Sequence, residues 1–120
     1  MDQFSGDCRD SLVIVLPSLD PDAKFSNVVS GLVESGFRNI VIVDDGSDSE
    51  HQQWFSLAEE YPQCTVLHHG INRGKGRALK TAFSCVMEKI PDAEGVITID
   101  GDGQHLLKDI IACGRLFLYH

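Results

Sequence analysis

Two carboxylates one residue apart, Asp100-Gly101-Asp102, close the apolar run VITI, and Gln104 and His105 follow. At a strand end such a pair can face one hard cation, and the flanking glycines let the backbone turn and a ligand approach closely. The same residues also make a solvated Asp-Gly turn. A second acidic pair, Asp44-Asp45-Gly46-Ser47, follows the run IVIV. It can accept from a nucleobase N–H or ribose hydroxyls, or it can charge a helix N-terminus that Ser47 caps. The stretch 72-NRGKGR-77 sets Arg73, Lys75 and Arg77 among two glycines just before a helical pattern. Backbone N–H groups, helix dipole and guanidinium there suit a phosphate, although Asn72 could simply cap a solvated loop. Neither a P-loop nor a G-x-G-x-x-G is present. The five histidines show no metal-ligand spacing, and His105 alone is placed beside a candidate site. Cys8, Cys64, Cys85 and Cys113 form no C-x-x-C and read as structural thiols.

These residues need elements to position them. The run 12-LVIVL-16 reads as a strand buried on both faces and stopped by Pro17. Asp20-Pro21 signals a helix start, with Phe25, Val28, Val29, Leu32 and Val33 inward and Gly36 as the stop. A second strand, 40–43, leads to Ser47-x-x-Glu50, a capping box for a helix carrying Trp54, Phe55, Ala58 and Tyr61 inward. A third strand, 64–68, precedes a long helix whose inner stripe reads Ala78, Leu79, Ala82, Phe83, Val86 and Ile90, ended by Pro91. A fourth strand, 96–99, delivers Asp100. Leu106, Leu107, Ile110, Ile111, Gly114 and Leu118 suggest a last helix. Alternating two-sided apolar strands and amphipathic helices predict an α/β fold, an open, mostly parallel sheet with helices on both faces. One domain over 11–120 accounts for the pattern, after a disordered stretch at 1–10. In such a sheet every strand ends at one edge, so the acidic pairs and the basic loop should converge there.

Bulk composition bounds the function. The chain has 120 residues, 42% hydrophobic and 23% charged, and a net charge of −8. That balance excludes a general nucleic-acid binder. Yet Arg73, Lys75, Arg77 and Lys80 are four of its ten basic residues and fall together, which favours a phosphate ligand over a polymer. The polar, acidic N-terminus is neither a signal nor a transit peptide, and no apolar run nears the roughly 20 residues of a membrane span. The expectation is a soluble, cytoplasmic protein.

Four segments in register, 13-VIVLPSLD-20, 40-IVIVDDGSDSE-50, 72-NRGKGRALKTAF-83 and 97-ITIDGDGQH-105, resemble the nucleotide-binding half of a family 2 glycosyltransferase of the GT-A fold. The resemblance spans about residues 11 to 112 and is nearest the polyprenol-phosphate sugar transferases, such as dolichol-phosphate mannosyltransferases. It implies a Rossmann-like donor site for a UDP- or GDP-linked sugar. Pro17 and Leu19 would line the base pocket, and Asp45 with Asp44 would contact base and ribose. Asp100 and Asp102, with Gln104, would hold Mg²⁺ or Mn²⁺ against the diphosphate, with Gly101 between them. Arg73, Lys75 and Arg77 would sit near the phosphates. The family inverts the anomeric centre. The implied acceptor is a polyprenyl phosphate or a glycan, and a lipid acceptor would bring the protein to the membrane surface.

The first loop, Pro17-Ser18-Leu19-Asp20-Pro21, lacks the aromatic and the glutamate frequent in the family. The family's acceptor half and its usual general base lie beyond residue 120. The chain therefore reads as a truncated donor half, inactive alone. A second reading is a non-catalytic nucleotide- or metal-binding module, or a subunit completed by another chain or by oligomerisation. A phosphohydrolase of the haloacid dehalogenase type would need its D-x-D on the first strand. A sugar nucleotidyltransferase would need a glycine-rich basic loop where PSLDPD stands.

Overall fold

The computed structural model describes residues 12–90, 93 and 95–99, with the backbone alone for Lys75. The run Leu12 to Leu16 has no polar side to show to water, and β1 (Leu12–Ser18) accordingly has a strand on each flank. With β2 (Asn39–Asp44), β3 (Cys64–His68) and β4 (Gly95–Thr98) it makes a parallel sheet of order β3-β2-β1-β4. Helices α1 (Ala23–Glu34), α2 (Gln52–Glu59) and α3 (Lys75–Lys89) form the crossovers.

Strand alternation divides the core. Leu12, Ile14, Leu16, Ile40, Ile42, Ile97 and Ile99 meet Phe25, Val29, Leu32, Phe37, Phe55 and Ala58 on the α1–α2 face. On the other face Val13, Val15, Val41 and Val43 meet Ala78, Ala82, Cys85 and Val86 of α3. Small side chains opposite one another let α3 lie close to the sheet. From β1 to β3 the chain steps one way with both helices on one face, then α3 carries it back along the other. All three crossovers thus share one hand, and the strand order reverses between β1 and β4. A ligand crevice belongs at that reversal, beyond the strand ends.

The expected fold class and all four strands stand, with corrections at the edges. Strand β1 does not stop at Pro17 but runs to Ser18, paired with β2 as Pro17↔Val43 and Ser18↔Asp44. On its other side the Ile99 N–H donates to the Val15 carbonyl at 3.0 Å. The next rung of a parallel ladder there would need an N–H from residue 17, which proline lacks. The β1–β4 ladder therefore ends at this point.

Helix α1 begins two residues later than Asp20-Pro21 suggested. Asp22 is its N-cap, accepting from the Lys24 N–H at 2.9 Å, because Asp20 is engaged elsewhere. Gly36 ends α1 as expected: with φ +95° it lets its own N–H reach Val33 and that of Phe37 reach Leu32. Phe83 leaves the predicted inner stripe of α3 and is 39% exposed, since the contact line centres on Ala78, Ala82 and Val86. The disorder expected at 1–10 and the last helix lie outside the described residues.

Phe25 and Phe55, both fully buried, meet edge to face with centroids 5.4 Å apart, locking α1 to α2. Phe25→Ala is expected to destabilise the protein by about 3–5 kcal/mol, read from urea unfolding.

Candidate functional site

At the strands' C-terminal edge, β2 runs into Asp44-Asp45-Gly46-Ser47 and β3 into His68–Gly74. The Asp45 N–H donates to the Ser18 carbonyl at 2.9 Å, joining the first two loops. Asp45 is 5% exposed, and its carboxylate is held by the third loop. Its Oδ1 accepts from the Arg73 N–H at 2.9 Å and pairs with His69 Nδ1 at 2.8 Å. Its Oδ2 accepts from the Gly74 N–H at 2.9 Å. The backbone donors that the sequence offered to a phosphate at Arg73 and Gly74 are thus taken by an internal carboxylate at the mouth of α3.

Asp44, 2% exposed, serves the other loop. Oδ1 accepts from the Ser47 N–H, while Oδ2 accepts from Gln52 Nε2 and pairs with His68 Nδ1, each at 2.8 Å. Because Asp44 and His68 are register partners, adjacent residues at the ends of β2 and β3 form two Asp–His pairs. Burial opposes ionisation of both carboxyls. For Asp44 the hydrogen bonds from Gln52, His68 and Ser47 outweigh it, and for Asp45 those from Arg73, His69 and Gly74 do. Both carboxyls are held below the ordinary range.

Where these two loops cross there is no room for a side chain. A Cβ on Gly46 would lie 2.3 Å from the Asn72 nitrogen and 2.4 Å from the Ile71 carbonyl carbon, and its φ is +85°. The first loop is tied in by Asp20, whose N–H donates to Ser47 Oγ at 2.8 Å and whose Oδ1 accepts from the Asp48 N–H at 3.1 Å. His51 closes this lock on Asp48 and Asp20, and the Asp48 hydrogen bond raises its pKa. Asp20, Asp48 and His51 bring one potential metal-ligating atom each within 4.8 Å of one another. Here those groups bond to each other.

Between the loops lies a cleft of about 270 Å³ lined by Pro17, Ser18, Leu19, Asp45, Asn72, Gly74 and Ala78. Apolar Pro17, Leu19 and Ala78 can hold a flat ring, and Asp45 and Asn72 supply polar contacts, which suits a polar heterocycle. Pro17, Leu19 and Asp45 therefore come together as the sequence suggested, with Asp44 just behind. Arg73 and Arg77 are exposed on the loop and the first turn of α3, where Lys75 is the first helical residue. Asp100, Gly101, Asp102, Gln104 and His105 lie outside the described residues. Ile99, just before them, is bonded to Val15, two positions short of Pro17.

Three expectations change. No capping box forms at Ser47: a 3-10 turn over Ser49–His51 precedes α2, and the Ser47 hydroxyl is spent on Asp20. Asn72 does not cap α3, whose N-cap is Gly74; its Oδ1 accepts from the Gly74 N–H at 2.9 Å. The expectation that no histidine but His105 stands beside a candidate site fails, since His68 and His69 grip the acidic pair. Their signal was available as polar residues at the end of β3, opposite Asp44 and Asp45. Nothing local marked Gln52 or Thr81, which act across loops. Cys64 and Cys85 are free thiols, and burial pushes Cys64 up to about 11, which suits a structural role.

The family model for glycosyl transferase family 2 matches residues 26–112. An uncharacterized protein of Methanocaldococcus jannaschii is 33% identical over 85% of this chain and 40% of its own length. A UDP-N-acetylglucosamine–dolichyl-phosphate N-acetylglucosaminyltransferase of Methanococcus voltae is 31% identical over 82% of this chain and 44% of its own. The chain thus spans less than half the length of these relatives. Among solved structures, a mannosyltransferase from Pyrobaculum calidifontis in complex with GDP-Man and Mn²⁺ shares the fold, with a TM-score of 0.73 and 20% identity. That match covers 97% of this chain and 34% of the other. No helix among the described residues is long and apolar enough to cross a membrane.

Gly46→Ala is expected to cost at least about 2 kcal/mol, whereas Gly76→Ala, in open space within α3, should stabilise by about 0.5–1 kcal/mol. Comparing the two melting curves checks both. Because the folded pKa values of Asp44 and Asp45 are depressed, the unfolded chain binds more protons just below its own carboxylate pKa of about 3.9. Their stabilisation is present above that pH and is lost as pH falls through the folded values. Melting temperature against pH should fall less steeply in Asp45→Asn than in the wild type; equal slopes would contradict this.

Proposed function

Since the chain belongs to glycosyl transferase family 2, we propose that its cleft binds the nucleoside part of a nucleoside-diphosphate sugar, UDP- or GDP-linked. The observation that carries this reading is Asp45, a buried ionised carboxylate lining a crevice between the ends of β1 and β2 and the start of α3. Among the described residues Oδ2 has one donor and an unused lone pair, so it can accept from a base N–H or a ribose hydroxyl. Pro17 and Leu19 lie against the base. Arg73 and Arg77 flank the diphosphate through their side-chain charge, the N–H groups of Arg73 and Gly74 being already used, and Lys75 adds a positive charge to the same segment.

Asp100 and Asp102, with Gln104, are the residues that would hold Mg²⁺ or Mn²⁺. Two carboxylates and an amide oxygen form a hard donor set, and the residue before them, Ile99, is bonded to β1. Such an ion offsets charge that builds on the departing nucleoside diphosphate. The Mn²⁺ and GDP-Man of the Pyrobaculum structure support this assignment. Sugar transfer with inversion, to a polyprenyl phosphate, is the activity proposed for the whole protein. The dolichyl-phosphate named for the Methanococcus relative supports that acceptor.

Calorimetry with UDP and GDP, with and without Mn²⁺, tests the site. Mn²⁺ is expected to tighten binding about tenfold or more, and Asp102→Ala to abolish that dependence while leaving the fold intact. Equal wild-type affinity with and without metal would sink the metal assignment. Asp45→Ala should weaken nucleotide binding in both conditions.

A further inference from the structure

Asp45 does not orient itself. Its Oδ1 faces the His69 ring at 2.8 Å, and the far nitrogen of that ring lies 2.9 Å from Thr81 Oγ1, two turns into α3. His69 is 9% exposed at its side chain, so the ring is clamped inside the protein rather than lying on the surface. An ionised carboxylate can only accept, so Nδ1 carries a hydrogen and donates it to Asp45. The Thr81 hydroxyl meets Nε2, so the ring plane is fixed from both ends. Among the described residues Oδ1 already has two donors, His69 and the Arg73 N–H, while Oδ2 has only the Gly74 N–H. The remaining acceptor capacity therefore sits on Oδ2.

We propose that His69, braced by Thr81, is a positioning residue that fixes Asp45 through Oδ1 and so presents Oδ2 to the nucleoside of the donor. The chain Thr81–His69–Asp45 couples α3 to the cleft through side chains, separately from the backbone bonds that Arg73 and Gly74 make. The ligand half of this inference rests on the nucleotide-sugar reading above; the clamp itself does not.

The test compares His69→Ala with His69→Asn, and Thr81→Val with Thr81→Ser. Asparagine places an amide N–H near the position of Nδ1, and serine keeps the hydroxyl. In the free protein, hydrogen exchange at the Arg73 and Gly74 amides should speed up about tenfold in His69→Ala and return towards wild type in His69→Asn. UDP or GDP affinity should fall about tenfold in His69→Ala and a few-fold in Thr81→Val, with recovery in His69→Asn and Thr81→Ser. Long-range ¹H–¹⁵N spectra of the wild-type imidazole should show hydrogen on Nδ1. Unchanged exchange at both amides in His69→Ala, or a ring with hydrogen only on Nε2, would overturn the clamp. A wild type that binds neither nucleotide would instead overturn the nucleotide reading, and the exchange data would still decide for or against the clamp.

Discussion

A carboxylate removed from water must find donors, and Asp45 finds them 28 and 29 residues away in the backbone of the loop before α3. This one demand sets the geometry of the binding edge. It folds the third loop over the second, brings the N-terminus of α3 against the end of β2, and leaves Gly46 no room for a side chain at the crossing. The same bonds hold the carboxyl ionised, so charge and shape at the cleft share a cause. A helix N-terminus that could have received a ligand phosphate is instead completed in part by the protein's own anion.

The layers beneath make this possible. Valines on one face of the sheet meet alanines of α3, so that helix sits close enough for Thr81 to reach a residue at the end of β3. The opposite face is filled by phenylalanine, leucine and isoleucine, and it holds α1 and α2 back from the cleft. Parallel register places Asp44 beside His68 without any turn to enforce it. The paired acids and histidines are therefore a consequence of strand alignment, with one pair facing each layer.

How much of this was legible depended on the range of the interaction. Apolar runs such as LVIVL and IVIV identified the strands, and Gly36 identified the end of α1, because burial and a left-handed turn are local demands. The acidic pair and Pro17 and Leu19 were placed at one edge by the parallel topology. Ser47 and Asp20 obey capping rules locally, yet the Ser47 hydroxyl accepts from the Asp20 N–H and the Asp20 carboxylate from the Asp48 N–H, across two loops. His68 and His69 show no metal-ligand spacing, because their partners are carboxylates at the end of the neighbouring strand. Phe83 fitted the helical period but sat at its shoulder.

Pro17 carries a consequence of a different kind. Any other residue at that position would carry an N–H able to complete the next rung to Ile99, and thermal motion could then zip and unzip the strand pair. With proline that alternative does not exist. The stretch of cleft wall that Pro17 forms therefore has no backbone donor, and a molecule entering beside it displaces no pairing there. A covalent ring fixes that wall before any ligand arrives.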